Sequence, residues 1–119
     1  MKANELMFGN YVYSNATDRT HSVMGISKEY VSLNCITFDY SSYEEIEPIP
    51  LTKTWFIHFG FTKEGTDFWN LNDFEIADLG NGKWVNCVNA NKYINGEPFL
   101  YVHQLQNLYF ALTGIELTY

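Results

Sequence analysis

The residue types that most often do chemistry in proteins are scattered along this chain. The histidines, His21, His58 and His103, are not three or four residues apart, and none lies in an H-E-x-x-H motif. Cys35 and Cys87 lack C-x-x-C spacing, as is typical of reduced, structural thiols in a reducing compartment. We therefore expect no metal site and no cofactor, although a site built from distant residues leaves no motif. The sequence predicts no catalytic residue.

The carboxylates fall into two runs. The first holds Asp39, Glu44, Glu45 and Glu47, and the second holds Glu64, Asp67, Asp73, Glu75 and Asp78. A carboxylate pair in an apolar pocket would suit a small hydrolase with glycosidase-type acid/base chemistry. The runs would also suit a mimic of a phosphate backbone that occupies a nucleic-acid-binding protein. A solvated face that keeps an aromatic-rich protein soluble is the interpretation we favour.

Two further motifs have structural interpretations. Gly80-Asn81-Gly82-Lys83 lacks the first glycine and the Ser/Thr of a phosphate-binding loop, and it predicts a hairpin turn. Trp69, Trp84 and Tyr93 fall on neighbouring predicted strands, where they would form either a stacking platform for a sugar or peptide or part of a core. The core interpretation is the more common one.

The longest uncharged stretch, residues 98–115, contains a predicted C-terminal helix. It spans Val102 to Thr113 and ends at Gly114, where glycine favours a left-handed C-cap. We expect one stripe of this helix to pack on a sheet, because helices of about 12 residues are marginal alone in water. That stripe holds Val102, Leu105, Leu108, Tyr109 and Leu112.

The opposite face of the predicted helix carries the candidate interaction residues. They are His103, Gln106, Asn107 and Phe110. An ordinary solvated face would carry Lys and Glu, whereas this one has neutral amides beside a large aromatic ring. We expect the face to be covered by another part of the chain or by a partner, with Phe110 mostly buried.

Composition limits the classes of function. The chain has 119 residues, 14 acids and 7 bases, so its formal charge is −7, which disfavours direct nucleic-acid binding. The first ten residues lack the apolar region of a signal peptide, and the polar residues of the C-terminal stretch disfavour a membrane span. We expect a cytoplasmic protein that does not act at a membrane.

The remaining pattern predicts strands. We expect them at 11–13, 22–26, 30–33, 36–38, 43–46, 68–71, 74–79, 83–89 and near Tyr93 and Phe99, with Asn95-Gly96 as a second hairpin turn. A short helix is predicted at 53–59, after Thr52 and before Gly60. The expected fold is α+β: a twisted, mainly antiparallel sheet with a short central helix and a C-terminal helix packed on it. We expect a single domain, with a β-rich half at 1–50 and a helix, β-meander and C-terminal helix at 51–119.

Three blocks resemble small uncharacterised proteins encoded by prophages and other mobile elements of gut bacteria. They are MKANELMFGNYVY at 1–13, YEEIEPIPLTKTWFIHFGF at 43–61 and YVHQLQNLYFALTGIEL at 101–117. The opening, with Gly-Asn before a Tyr-Val-Tyr strand, is also similar to the start of an SH3-like barrel. The first resemblance implies a mobile-element context and brings no activity with it.

The sequence favours a non-enzymatic protein-interaction module that acts through contact with a protein partner or through self-association. The alternatives are the acidic phosphate mimic and the small hydrolase.

Overall fold

The structure is a computed structural model that describes residues 1–34, 41–89, 92–93 and 98–118. In chain order these residues form a short 3-10 helix (Ala3–Glu5), β1 (Tyr11–Ser14), β2 (Arg19–Ile26), β3 (Tyr30–Leu33), β4 (Ser41–Ser42), β5 (Ile46–Glu47), α1 (Lys53–His58), β6 (Thr62–Glu64), β7 (Phe68–Leu71), β8 (Phe74–Gly80), β9 (Lys83–Asn89), β10 (Lys92–Tyr93) and α2 (Val102–Thr113).

The chain divides into two compact units. Residues Met1–Ile49 and Tyr101–Glu116 form the first unit, and Pro50–Leu100 with Leu117–Tyr119 form the second. Helix α2 therefore belongs with the N-terminal strands, although the second unit precedes it in sequence. The fold is α+β, as predicted, with antiparallel sheets and a helix packed on one of them.

The first unit contains an antiparallel sheet in the order β4-β3-β2-β1-β5. Strand β5 returns to pair with β1, through Tyr13–Glu47 and Ser14–Ile46, and β2 pairs with both β1 and β3. Alternate residues of β1 and β3 point inward, as the twofold period of a strand requires. The core holds Leu6, Val12, Val23, Val31, Leu33 and Ile46.

Helix α2 begins and ends at the predicted residues. The backbone N–H of Tyr101 donates to Oε1 of Gln104 at 3.1 Å, which closes the first turn. At the other end Gly114 has φ +73°, and its N–H donates to the carbonyl of Phe110 at 2.8 Å. The left-handed conformation at this position favours glycine, as the sequence indicated.

The second unit contains a sheet in the order β10-β9-β8-β7-β6. The predicted hairpin turn joins β8 to β9, with φ +57° at Asn81 and +74° at Gly82. Helix α1 supplies Phe56, which is fully buried and lies between the rings of Trp69 and Trp84, with centroids at 5.3 and 4.6 Å. The two tryptophans are therefore core residues, as the more common interpretation held, and not a stacking platform.

Some local predictions were wrong. The strand expected at 43–46 is a turn that leads into β5. Tyr43–Glu45 form this turn, because the chain reverses direction between β4 and β5. Strand β6 was missed, because its three residues are all exposed and show no alternation. The strand expected at 36–38 and the turn at Asn95-Gly96 lie outside the described residues.

Across the described part of the chain, every helix is too short or too polar to cross a membrane.

Candidate functional site

Gln106, one of the four candidate interaction residues, is buried and holds the segment that leads into β1. Its Oε1 accepts the backbone N–H of Tyr11 at 2.9 Å, and its Nε2 donates to the carbonyl of Gly9 at 3.0 Å. Gly9 precedes β1, and Tyr11 is the first residue of β1, where β5 does not pair with it, so the Gln106 side chain bonds backbone groups at the end of the sheet. Gln106 therefore acts inside the first unit.

Asn107 makes the same kind of contact one residue later. Its Oδ1 accepts a hydrogen bond from Nδ2 of Asn10 at 2.8 Å, and its Nδ2 donates to the carbonyl of Glu5 at 3.1 Å. The side chain thus fixes both ends of the segment 5–10 against α2. For Gln106 and Asn107, cover comes from another part of the chain, which was one of the two alternatives expected.

Phe110 follows on the same side of α2, one turn beyond Gln106. The fold leaves 37% of it exposed, so burial within the chain is incomplete. The second alternative, cover by a partner or a second copy, stays a prediction for this residue.

Phe110 is one of four exposed apolar residues that are close in the chain to Gly9 or to a residue that contacts it, and we call these four the Gly9 patch: Phe8, Met24, Phe110 and Ile115. The Gly9 N–H donates to the carbonyl of Val23 at 2.8 Å, which brings Met24 to the segment that carries Phe8. A Cβ on Gly9 would lie 3.5 Å from a carboxylate oxygen of Glu116, the neighbour of Ile115. Phe8, at 64% exposed, is the most accessible of the four.

His103 lines a cleft at the other end of α2, which we call the His103 cleft. It has a volume of about 450 Å³ and is lined by Glu5, Pro48, Tyr101, His103, Gln104 and Asn107. All of these residues belong to the first unit. The rings of Tyr101 and His103 stack with centroids 6.0 Å apart and planes 17° apart.

The imidazole of His103 is only 4% exposed, and its Nδ1 is buried with no hydrogen-bond partner among the described residues. Burial lowers the pKa of His103, and the nearby Glu5 carboxylate raises it by a smaller amount. Burial dominates because a protonated ring would place an N–H donor where no acceptor meets it. His103 is therefore neutral at pH 7.

Some of the acidic residues of the second unit lie close together in the fold. Burial raises the pKa of Glu75, and the Glu64 and Asp73 carboxylates raise it further, with a hydrogen bond between the Glu75 and Glu64 side chains. The fold thus brings three members of the second acidic run together. Asp78 serves the hairpin, since its Oδ1 accepts the N–H of Gly80 at 2.8 Å.

Metal-ligating residues do not cluster in the part of the chain that the structure describes: no three of its His, Cys, Asp and Glu side chains form a potential metal site. Cys87 is a buried free thiol whose pKa is raised mainly by burial. This environment disfavours the thiolate, so Cys87 is a poor nucleophile.

The residues that sequence reasoning missed are Glu5, Tyr101 and Phe8. Glu5 and Tyr101 are about a hundred residues apart, and a contact at that separation leaves no local pattern. The exposure of Phe8 follows from its place in the Met7–Asn10 turn, before the inward-outward alternation of β1 begins.

Comparisons of the chain with protein-family models, with curated proteins and with solved structures gave no significant match.

Proposed function

We propose that this protein is a non-enzymatic interaction module whose Gly9 patch binds a protein partner. The observation that carries the proposal is that Phe8, Met24, Phe110 and Ile115 are exposed apolar residues of one unit, each close in the chain to Gly9 or to a residue that contacts it. Large aromatic side chains at an accessible site are the residues that most often supply binding energy in protein interfaces. The resemblance of the three sequence blocks to mobile-element proteins suggests a partner in phage or mobile-element biology.

Charge indicates the chemistry of that partner. The first unit contains eight acids and three bases, a formal charge of −5. Glu116 lies at the patch itself, beside Gly9. Two copies meeting through this surface would bring like charges together, whereas a basic surface would be attracted. The proposed partner therefore presents apolar side chains flanked by Lys or Arg, and self-association is an alternative outcome of the test.

The experiment selects a random-peptide display library against the wild-type protein and measures the binding of recovered peptides to point variants. We expect the recovered peptides to combine apolar and basic residues. Phe8→Ala and Phe110→Ala should each weaken their binding about tenfold or more, as truncation of an interface anchor does. Leu112→Ala, which removes an exposed side chain from the same helix, should leave binding unchanged.

The control measurements distinguish partner binding by the Gly9 patch from the alternatives. Thermal unfolding of the Phe8 variant should stay close to wild type, because exposed side chains contribute little to stability, whereas the partly covered Phe110 should lose some stability on truncation and stay folded at the temperature of the binding assay. A wild-type dimer in solution that Phe110→Ala dissociates would show self-association instead. Peptides that bind all variants equally would overturn the proposal, and tight, steeply salt-dependent binding to a nucleic-acid-binding protein would favour the phosphate mimic.

We also propose a cytoplasmic location. The buried free thiol of Cys87 supports it, because unpaired cysteines are typical of reducing compartments.

A further inference from the structure

The His103 cleft is separate from the Gly9 patch and has the size of a small-ligand site. Its volume of about 450 Å³ lies within the range of about 300–1,000 Å³ that is usual for ligand pockets. The cleft is concave on one side of α2, where the 3-10 helix and the end of β5 approach the first turn.

Two of the lining amides are occupied by the fold. Both polar atoms of the Asn107 side chain bond to the segment 5–10, and Oε1 of Gln104 accepts the Tyr101 N–H. The groups that remain to meet a ligand are the Glu5 carboxylate, the Tyr101 side chain and the edge of His103. The Glu5 carboxylate has no hydrogen-bond partner among the described residues.

The charge of these groups favours a cationic ligand. The lining residues include one carboxylate and no lysine or arginine. His103 adds no positive charge, because burial keeps its ring neutral. Tyr101 presents an aromatic ring, which attracts ammonium groups. The Nδ1 atom of His103, on a side chain more than nine-tenths buried, has no hydrogen-bond partner among the described residues, so the fold alone leaves a polar atom of the cleft wall unsatisfied.

We propose that the His103 cleft binds a primary alkylammonium group, with Glu5 as its counter-ion and the Tyr101 ring beside its charge. Two sources supply that group: a free amine, or a lysine side chain of a protein. The proposal stands whether or not the Gly9 patch binds a partner, because no residue of the patch lines the cleft.

If the ammonium group belongs to a lysine side chain of a protein, the geometry of α2 predicts where a second contact with that protein would lie. His103 and Phe110 are seven residues apart on α2, so the cleft and the patch lie about 10 Å apart along the helix axis. An extended peptide covers that distance in about three residues. Side chains of an extended peptide share a face when they are two or four residues apart, so a lysine in the cleft would place an apolar side chain, two or four residues away, near Phe110.

The experiment is an NMR titration of the isotopically labelled protein with Nα-acetyl-lysine methylamide. We expect shift changes at the amides of Gln104 and Asn107 and a dissociation constant on the order of 1 mM, the affinity usual for so small a ligand. Nα-acetyl-norleucine methylamide keeps the alkyl chain and lacks the ammonium group, and it should bind at least about tenfold more weakly.

Two variants form a matched pair. Glu5→Gln keeps the size of the side chain and removes its charge, and it should weaken binding about tenfold. Glu44→Gln removes an exposed carboxylate of the same unit that does not line the cleft, and it should have no effect. Equal binding of the charged and neutral ligands by wild type, or of the charged ligand by wild type and Glu5→Gln, would overturn the proposal.

Peptides distinguish the sources. If the ammonium group belongs to a protein, a peptide with lysine and leucine two or four residues apart should bind more tightly than acetyl-lysine methylamide, and Phe110→Ala should remove the gain. If the amine is free, the peptide should show no gain and the effect of Glu5→Gln should remain.

Discussion

At the residue scale, the uncharged side chains of α2 illustrate what a polar pattern indicates. The absence of charge at His103, Gln106 and Asn107 correctly indicated that these positions are covered. It did not indicate by what, because the covering residues lie 97 positions earlier, at Gly9 and Asn10. Gln and Asn suit this role since each offers a donor and an acceptor to a backbone or side chain that has lost its strand partner.

His103 gives a prediction on pH dependence. Its folded-state pKa is below the unfolded value of about 6.5, because the buried ring resists protonation. The unfolded chain therefore binds more protons as the pH falls below about 6.5, and the folded state loses stability in that range. Chemical unfolding at pH 7.5 and pH 5.5 should show a decrease in the free energy of unfolding at the lower pH.

The variant His103→Gln separates this effect from that of other groups. Gln does not titrate, so the variant should lose less stability than wild type over the same pH interval, although it can be less stable at pH 7.5. An equal loss in both proteins would show that His103 is not the group responsible.

At the element scale, α2 shows how a helix can be predicted while its orientation is not. Its bounds follow from Gly114 and the uncharged run, which are local signals. Its buried residues are Val102, His103, Leu105, Gln106 and Tyr109, so the buried face is rotated by about 80° from the predicted stripe. Leu112, expected in the core, is 57% exposed, and that prediction was wrong.

The buried face is rotated because α2 packs against the backbone of the segment that precedes β1 as well as against apolar side chains. Gln106 and Asn107 bond to the segment that precedes β1, which turns polar positions inward and moves the outer leucines toward solvent. Hydrophobic periodicity reports only on hydrophobic contacts, so the predicted buried face is centred on the apolar stripe. Phe110 lies on the covered side, but in the last turns, where the covering segment ends.

Leu105 and Leu112 test this orientation. Leu105 is fully buried, so Leu105→Ala should lower the free energy of unfolding by about 2–5 kcal/mol, as core truncations do. Leu112→Ala should change it by less than about 0.5 kcal/mol. The measurement is urea unfolding of both variants beside wild type. Equal decreases in the free energy of unfolding of the two variants would instead support the buried face predicted from periodicity.

At the scale of the whole molecule, the sequence predicted the class of fold but not how the chain is shared between units. The hairpin at Asn81-Gly82 and helix α1 come from neighbouring residues, and both are where the pattern placed them. The return of α2 to the N-terminal strands depends on contacts such as that between Gln106 and Gly9. Such contacts join distant residues, so hydrophobic periodicity and turn signals carry no information on them.

The charge of the molecule gives the last prediction. The first unit carries −5 and the second −2, so neither offers a basic surface to a polyphosphate backbone. We expect no measurable binding to random-sequence duplex DNA or to RNA at physiological salt, since binding depends on neutralising phosphates with Lys and Arg. Fluorescence anisotropy with labelled duplexes is a suitable measurement, with a basic DNA-binding domain as the positive control in the same buffer. A dissociation constant in the micromolar range would mean that the seven bases of the chain are concentrated on one face despite the net charge, and the proposal of a basic partner for the Gly9 patch would lose its electrostatic support.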